Sequence, residues 1–285
     1  MRVGSVGIEY EERGEGEPLL LLHGLGCSAS DWVLQMPALS SEYRVIAPSL
    51  RGFGGSDKPA GPCSIMQYAS DMVALLDQLK IQRAHVLGHS MGGAVALQLA
   101  VAHPERLNCL IVVNAQPSFA VKDWRRYLML LMRLMASGPT GMERMTRFLA
   151  RHLFPHDHQA ELRDQMNARY AKNDRRAFLA AINALAGWSV EAMVDRVATP
   201  TLVVAGEHDV TSVASARDFA GRLPNGHIEV VADSGHATPF DQHNTVNKLV
   251  MEFLSTTSWG RNTPRTDRRV VPRPDAAAPA STRPF

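Results

Sequence analysis

Ten residues constrain this chain more than any others. Ala84–Gly93 reads AHVLGHSMGG, where a short β-type run, His85-Val86-Leu87, passes into a helical one with no break. Met91–His103 carries Val95, Leu97, Leu99 and Ala100 among good helix formers, and Pro104 ends it. At the junction Gly88-His89-Ser90-Met91-Gly92 is a G-x-S-x-G sequence, which describes a nucleophile elbow when a strand precedes it and a helix follows. A serine held in a tight, strained turn leaves no room for a Cβ two residues to either side, which is the steric use of Gly88 and Gly92. Gly93 lets the helix approach the sheet.

A single elbow needs a sheet around it, and the rest of the chain supplies one. Val3–Glu12 alternates weakly and reads as one or two edge strands before the turn Gly14-Glu15-Gly16. Leu19–Leu22 is continuously apolar, as a central parallel strand buried on both faces must be, and it runs into His23-Gly24-Leu25-Gly26. Asp31 reads as the cap of a helix through Leu39. Tyr43–Ala47 is the next strand, Ser49–Pro59 a glycine-rich loop, and Ile65–Lys80 a helix with apolar residues at helical spacing. Leu110–Val113 is a further buried strand.

Strand–helix alternation stops there. From Pro117 to about Ala198 the pattern is helical throughout, and alternation resumes with strands at Thr201–Ala205 and Ile228–Val231 and helices at Val213–Leu223 and Asp241–Leu254. The expected fold is α/β, a mostly parallel doubly wound sheet with one all-helical insertion. Its parts are a core over 1–116 and 199–258, a helical cap over 117–198 and a disordered basic tail over 259–285. That tail holds six arginines against two aspartates, mixed with prolines, and has no apolar period to repay ordering.

Charge and cysteine content narrow the function classes. A formal net charge of +2 on 285 residues points to no nucleic-acid partner. Cys27, Cys63 and Cys109 are too few and odd in number for a disulfide framework and lack metal spacing, so a reducing cytoplasm suits them. No signal peptide is read at the start, and Tyr127–Ala136, the most apolar helix candidate, is too short to span a bilayer. A soluble protein with no metal and no cofactor is expected.

A serine hydroxyl is a weak nucleophile at neutral pH and needs a base that is itself oriented by an acid. Around an elbow the acid and then the histidine follow the serine, each after a later strand. Asp209 stands just beyond Thr201–Ala205 and His236 just beyond Ile228–Val231, so Ser90, Asp209 and His236 come in the required order. All three lie at carboxyl ends of strands, where sites in open α/β sheets are found. Glu207 and Asp233 are competing carboxylates, one before the apex of its loop and the other before the histidine; Asp209 is preferred to both. His85 and His103 read as structural, and His156 and His158 as solvated loop residues without a third ligand. His89 either contacts substrate or fills the variable position of the elbow. Acyl transfer also needs N–H donors for the developing oxyanion. Met91 at the helix start offers one, and Leu25 in the HGLG loop is the choice for the other.

These residues together resemble the α/β-hydrolase-fold serine hydrolases, of the capped esterase, lactonase and carbon–carbon hydrolase type. The resemblance is carried by LLLLHGLG (19–26), SLRGFGGSDKP (49–59), VLGHSMGG (86–93), HPERL (103–107), PTLVVAGEHD (200–209) and SGHATPFDQ (234–242). It implies a cofactor-free serine hydrolase with a Ser90, Asp209 and His236 triad and oxyanion amides on Leu25 and Met91. Ser49 departs from the pattern, since relatives usually carry aspartate there. Serine at position 90 argues against the haloalkane dehalogenase and epoxide hydrolase relatives, which form their ester on an aspartate. Meta-cleavage hydrolases tend to have asparagine before the serine and tryptophan after the histidine, where this chain has His89 and Ala237.

The inserted block bears on the substrate. Its methionines, among them Met132, with nearby leucines, read first as ordinary packing; the functional alternative is that some of them, with Trp124 and Trp188, roof the serine over an apolar acyl group. The expected activity is hydrolysis of a small-to-medium apolar carboxylic ester. Lactone or carbon–carbon bond hydrolysis on the same triad follows, and a slow-turnover ligand receptor is the reading from another class.

Overall fold

The computed structural model describes residues 1–119, 122–136, 138 and 140–257. The tail expected over 259–285 lies outside the described residues. Runs such as Leu19–Leu22 have no polar face, so they need cover on both sides, and the chain provides it by joining them in one sheet. Seven strands form it: β3 (Tyr10–Arg13), β4 (Glu17–Leu22), β5 (Tyr43–Pro48), β6 (Ala84–His89), β7 (Leu107–Val113), β8 (Thr201–Gly206) and β9 (Gly226–Val231). Their spatial order is β3-β5-β4-β6-β7-β8-β9, with β3 antiparallel to β5 and the rest parallel. A separate hairpin, β1 (Arg2–Val3) and β2 (Val6–Gly7), precedes them. The weakly alternating start is thus three short strands, and only β3, with its charged residues, edges the main sheet.

Period-two alternation sorts the β4 leucines. Leu20 and Leu22 enter one hydrophobic cluster, with α2 (Ile65–Gln78) and α3 (Met91–Ala102); Leu19 and Leu21 enter the other, with α1 (Met36–Leu39) and, from farther along, the C-terminal helix. Every residue from Met91 to Ala100 is buried, which explains why this helix has no polar stripe. Asp31 does not begin a long helix. Ser28 is the N-cap of a short 3-10 turn, Ala29–Trp32, and Asp31 is its third residue, taking the Ser28 N–H on its carboxylate at 2.8 Å.

Between β7 and β8 come α4 (Lys122–Ala136), α5 (Gly141–Leu153), α6 (Ala160–Tyr170) and α7 (Arg175–Ala186). Helix α4 packs on α5 and α7, and α5 on α6. The chain leaves and re-enters the core side by side: Ser118 and Ser189 form an antiparallel bridge, flanked by Phe119 N–H to Trp188 C=O at 3.1 Å and Val190 N–H to Pro117 C=O at 2.7 Å. After β8 follow α8 (Val213–Arg222), then β9, α9 (Thr238–Asp241) and α10 (His243–Thr257). Among the described residues no helix is long and apolar enough to cross a membrane.

Candidate active site

The elbow is built by close approach of backbones. A Cβ on Gly88 would meet the Gly92 carbonyl oxygen at 2.2 Å, and one on Gly92 would meet the Leu22 carbonyl oxygen of β4 at 2.0 Å. Glycine alone fits both places. Ser90 itself takes φ 54° and ψ −115°, a strained conformation outside the ordinary regions for a side-chain-bearing residue. Its N–H is tied to the Val113 carbonyl of β7 at 3.0 Å, and α3 starts at the next residue.

Three side chains from three strand ends converge on this turn. The Ser90 hydroxyl donates to His236 Nε2 at 2.8 Å, and His236 Nδ1–H donates to Asp209 Oδ1 at 2.7 Å. The tautomer follows from the partners, because a carboxylate only accepts. The Asp209 side chain is 1% exposed and that of His236 11%, so the chain of hydrogen bonds lies largely out of water. Such an arrangement lets the imidazole take the serine proton while the buried carboxylate stabilises the imidazolium. Glu207 and Asp233, the competing carboxylates, are exposed beside His208, and Glu207 Oε2 accepts the Asp233 N–H at 3.2 Å.

One residue outside the sequence reading braces this array. Asn114, at the end of β7 with φ 49°, donates through Nδ2 to the Gly235 carbonyl at 2.7 Å and to the Thr238 hydroxyl at 2.8 Å. Its Oδ1 accepts the Gly206 N–H at 3.2 Å. It therefore joins the loop bearing His236 to the strand end before Asp209. A buried asparagine closing an apolar strand, able to adopt positive φ, was the available signal.

The HGLG loop follows the same logic of anchored peptides. His23 is buried, accepts the Leu50 N–H on Nε2 at 2.9 Å and donates from Nδ1 to the Gly24 carbonyl at 2.8 Å. Burial holds its pKa down to about 4, so it stays neutral and keeps that tautomer. The Cys27 N–H reaches the same carbonyl at 3.2 Å. In a planar trans peptide C=O and N–H point oppositely, so fixing the Gly24 carbonyl turns the Leu25 N–H the other way. Leu25 lines the chamber that holds Ser90. Met91 is the first residue of α3, so its N–H has no partner within the helix.

His89 is buried and lines that chamber too. Its Nε2–H donates to the His236 backbone carbonyl at 2.8 Å, and burial, followed by the charge of His236, pushes its pKa down to about 3. Leu131 of α4, Leu149 and Leu153 of α5, Leu185 of α7 and Phe119 line the chamber with Ser90. Leucines rather than methionines thus line the chamber: Met135 and Met145 are buried in the core, Met129 is exposed, and Met132 packs against the core without lining it. Trp188 is not in the lining either. Its indole N–H donates to Gln98 Oε1 on α3 at 2.9 Å, and its ring lies 6.1 Å from that of Phe119, which fastens it beneath the inserted block. The side chains of Trp124 and His158 lie outside the described residues.

Ser49, the departure from the family pattern, has a carboxylate brought to it from elsewhere. Glu9 accepts the Ser49 hydroxyl at 2.7 Å and the Gly55 N–H at 2.7 Å, while Ser49 Oγ accepts the Ala29 N–H at 3.0 Å. Those bonds, the Gly55 amide foremost, lower the Glu9 pKa.

With sheet, elbow and relay in place, the family comparison is decisive: the family model described as the alpha/beta hydrolase fold matches residues 17–242. The chain belongs to the α/β hydrolases. This α/β hydrolase is 33% identical over 272 residues to a putative carbamate hydrolase, RutD, of Caulobacter segnis, covering 89% of this chain and 99% of that one. It is 29% identical over 249 residues to 3-oxoadipate enol-lactonase 2 of Acinetobacter baylyi, covering 86% and 92%. A thermophilic esterase from Thermogutta terrifontis superposes with a TM-score of 0.79 at 25% identity, covering 88% of this α/β hydrolase and 94% of the esterase. Hydrolysis of a small molecule is the reaction class this membership supports.

Proposed function

We propose that the protein is a serine hydrolase that cleaves carboxylic esters with a small-to-medium apolar acyl group. The observation that carries the reading is the unbroken hydrogen-bond relay from Ser90 through His236 to Asp209. His236 takes the proton of Ser90 as the hydroxyl oxygen adds to the ester carbonyl. The resulting oxyanion lies against the N–H groups of Leu25 and Met91, donors whose individual loss typically costs about 10²–10³ in rate. Collapse expels the alcohol, which leaves with the proton from His236, and water activated by the same imidazole then releases the acid. The helical block over 117–198 acts as the cap, and its leucines favour an apolar acyl chain over a charged one. Three free cysteines suit a cytoplasmic setting.

A cyclic ester is the second reading, favoured by the likeness to an enol-lactonase over most of both chains. Steady-state assay against p-nitrophenyl esters of rising acyl length, with a lactone, a carbamate and a meta-cleavage dienone in the panel, separates these substrates. Turnover should peak at one short acyl length, and Ser90→Ala should lower it by about 10⁴-fold or more because the triad acts as a unit. A folded Ser90→Ala protein with near-native turnover would disprove the mechanism. A single burst without cycling would move the protein to the receptor class.

A further inference from the structure

The segment that carries the Leu25 amide is gripped from the inserted block. Three nearby side chains at the corner between α6 and α7 reach it. Asn173 Nδ2 donates to the Gly26 carbonyl at 2.8 Å, the Tyr170 hydroxyl and the Cys27 thiol share a hydrogen bond of 2.8 Å, and Arg169 Nη1 meets Asp31 Oδ1 at 3.0 Å. Asp31 in turn accepts the Ser28 N–H, so this ion pair holds the far end of the same loop. Contact is tight as well as polar. A Cβ on Gly26 would come within 2.7 Å of the Tyr170 ring and 2.9 Å of Phe178 on α7.

Glycine flanks Leu25 on both sides and Gly26 sits at φ +82°, so beyond the local hold of His23 and the Cys27 N–H on the Gly24 carbonyl, the direction of the Leu25 N–H depends on what anchors the peptides after it. The peptide before Leu25 is anchored from the core, through His23 on the Gly24 carbonyl. The carbonyl of Gly26, one peptide beyond Leu25, is anchored from the block, through Asn173. Burial raises the pKa of both Cys27 and Tyr170, so both groups are neutral and their hydrogen bond persists across the working pH range.

We propose that Asn173 and Tyr170 are positioning residues for the oxyanion hole: through Gly26 and Cys27 they set the direction of the Leu25 N–H. The inference rests on the serine-hydrolase reading above. It makes the corner between α6 and α7 and the second oxyanion donor one mechanical unit. With the block seated, the donor is held aimed.

The test uses the full-length protein with Asn173→Ala and Tyr170→Phe, p-nitrophenyl butyrate as substrate and butylboronic acid as the probe that forms a tetrahedral adduct on Ser90. Each variant should lose about tenfold in kcat, a fraction of what a whole oxyanion donor supplies, with KM changed by no more than about twofold. The boronic acid should weaken by the same factor as kcat, which a merely structural role would not produce. Tyr170→Phe keeps the ring and removes only the hydroxyl, so it carries the test if Asn173→Ala fails to fold. Folded variants with native kcat and native boronate affinity, or with lower kcat and unchanged boronate affinity, overturn the coupling. Ser90→Ala tells the two levels apart: if it is inactive the hydrolase reading stands whatever the corner variants do, and if it remains active both fall.

Discussion

Replacing Gly92 by alanine tests the elbow at its tightest point. The added Cβ would lie 2.0 Å from the Leu22 carbonyl oxygen, 2.4 Å from its carbon and 2.8 Å from the His23 carbonyl oxygen, whereas ordinary contact begins at 3.4 Å. None of these atoms belongs to a flexible side chain. Helix α3 and strand β4 must therefore part by about 1.4 Å, the difference between 3.4 Å and 2.0 Å, and overpacking of that kind costs about 1–3 kcal/mol. Ser90 is the N-cap of α3 and moves with it, against a His236 hydrogen bond of only 2.8 Å. A displacement near 1 Å at a reacting centre costs about 10²-fold, so kcat should fall by about that factor while KM changes little. Urea unfolding and steady-state kinetics on the same preparation read both quantities. A Gly92→Ala protein with native unfolding midpoint and native kcat would show that helix and strand are not packed this closely and that the elbow geometry is wrong.

Ser49→Asp should destabilise this protein, although the resemblance to capped hydrolases leads one to expect aspartate there. It sets a second carboxylate against that of Glu9, at a cost of about 1–2 kcal/mol after solvent screening. Adding Glu9→Gln should recover the loss, and a penalty independent of residue 9 would refute the exchange. Stability should also fall on acidification. His23 and His89 are held near pKa 4 and 3 when folded, against an ordinary value of 6.5. Between pH 6.5 and about 4 the unfolded chain binds more protons, so acid favours unfolding, and above pH 7 these two groups contribute no slope. His89→Asn should flatten the dependence of urea unfolding over that window, and an unchanged slope would mean that His89 is not held neutral.

Much of the fold was legible because its signals are local. An apolar run such as Leu19–Leu22 with no polar face has few places to go, and the glycines around Ser90 declare a steric requirement within five residues. The order of Ser90, Asp209 and His236 could be read because each follows a strand. What escaped was decided by residues far apart in sequence. Asp31 reads as a cap in isolation, yet Ser28 takes that position and Asp31 faces Arg169, 138 positions later, on α6. Glu9 reaches Ser49 across 40 positions, and Asn114 reaches Gly235 across 121. The chamber lining depends on how each helix of the inserted block is rotated, and periodicity shows that a stripe exists without showing what it faces. Methionine and leucine serve equally in such a stripe, so packing put leucines in the lining of the chamber and sent Trp188 to Gln98.

The bridge at Ser118 and Ser189 gives the chain a structural seam. The described leucines that line the chamber around Ser90, Leu131, Leu149, Leu153 and Leu185, are spelled out between two points that already touch, while the sheet and the three strand ends bearing Ser90, Asp209 and His236 are spelled elsewhere. Length and content of the intervening segment can therefore change without redrawing the hydrogen-bonded frame of Ser90, His236 and Asp209. A segment transplanted from a relative with another substrate would have to keep two ties to the core, the grip of Arg169, Tyr170 and Asn173 on the loop beneath and the bond of Trp188 to Gln98 on α3, so an exchange that keeps them should keep the fold while changing what lines the chamber around Ser90.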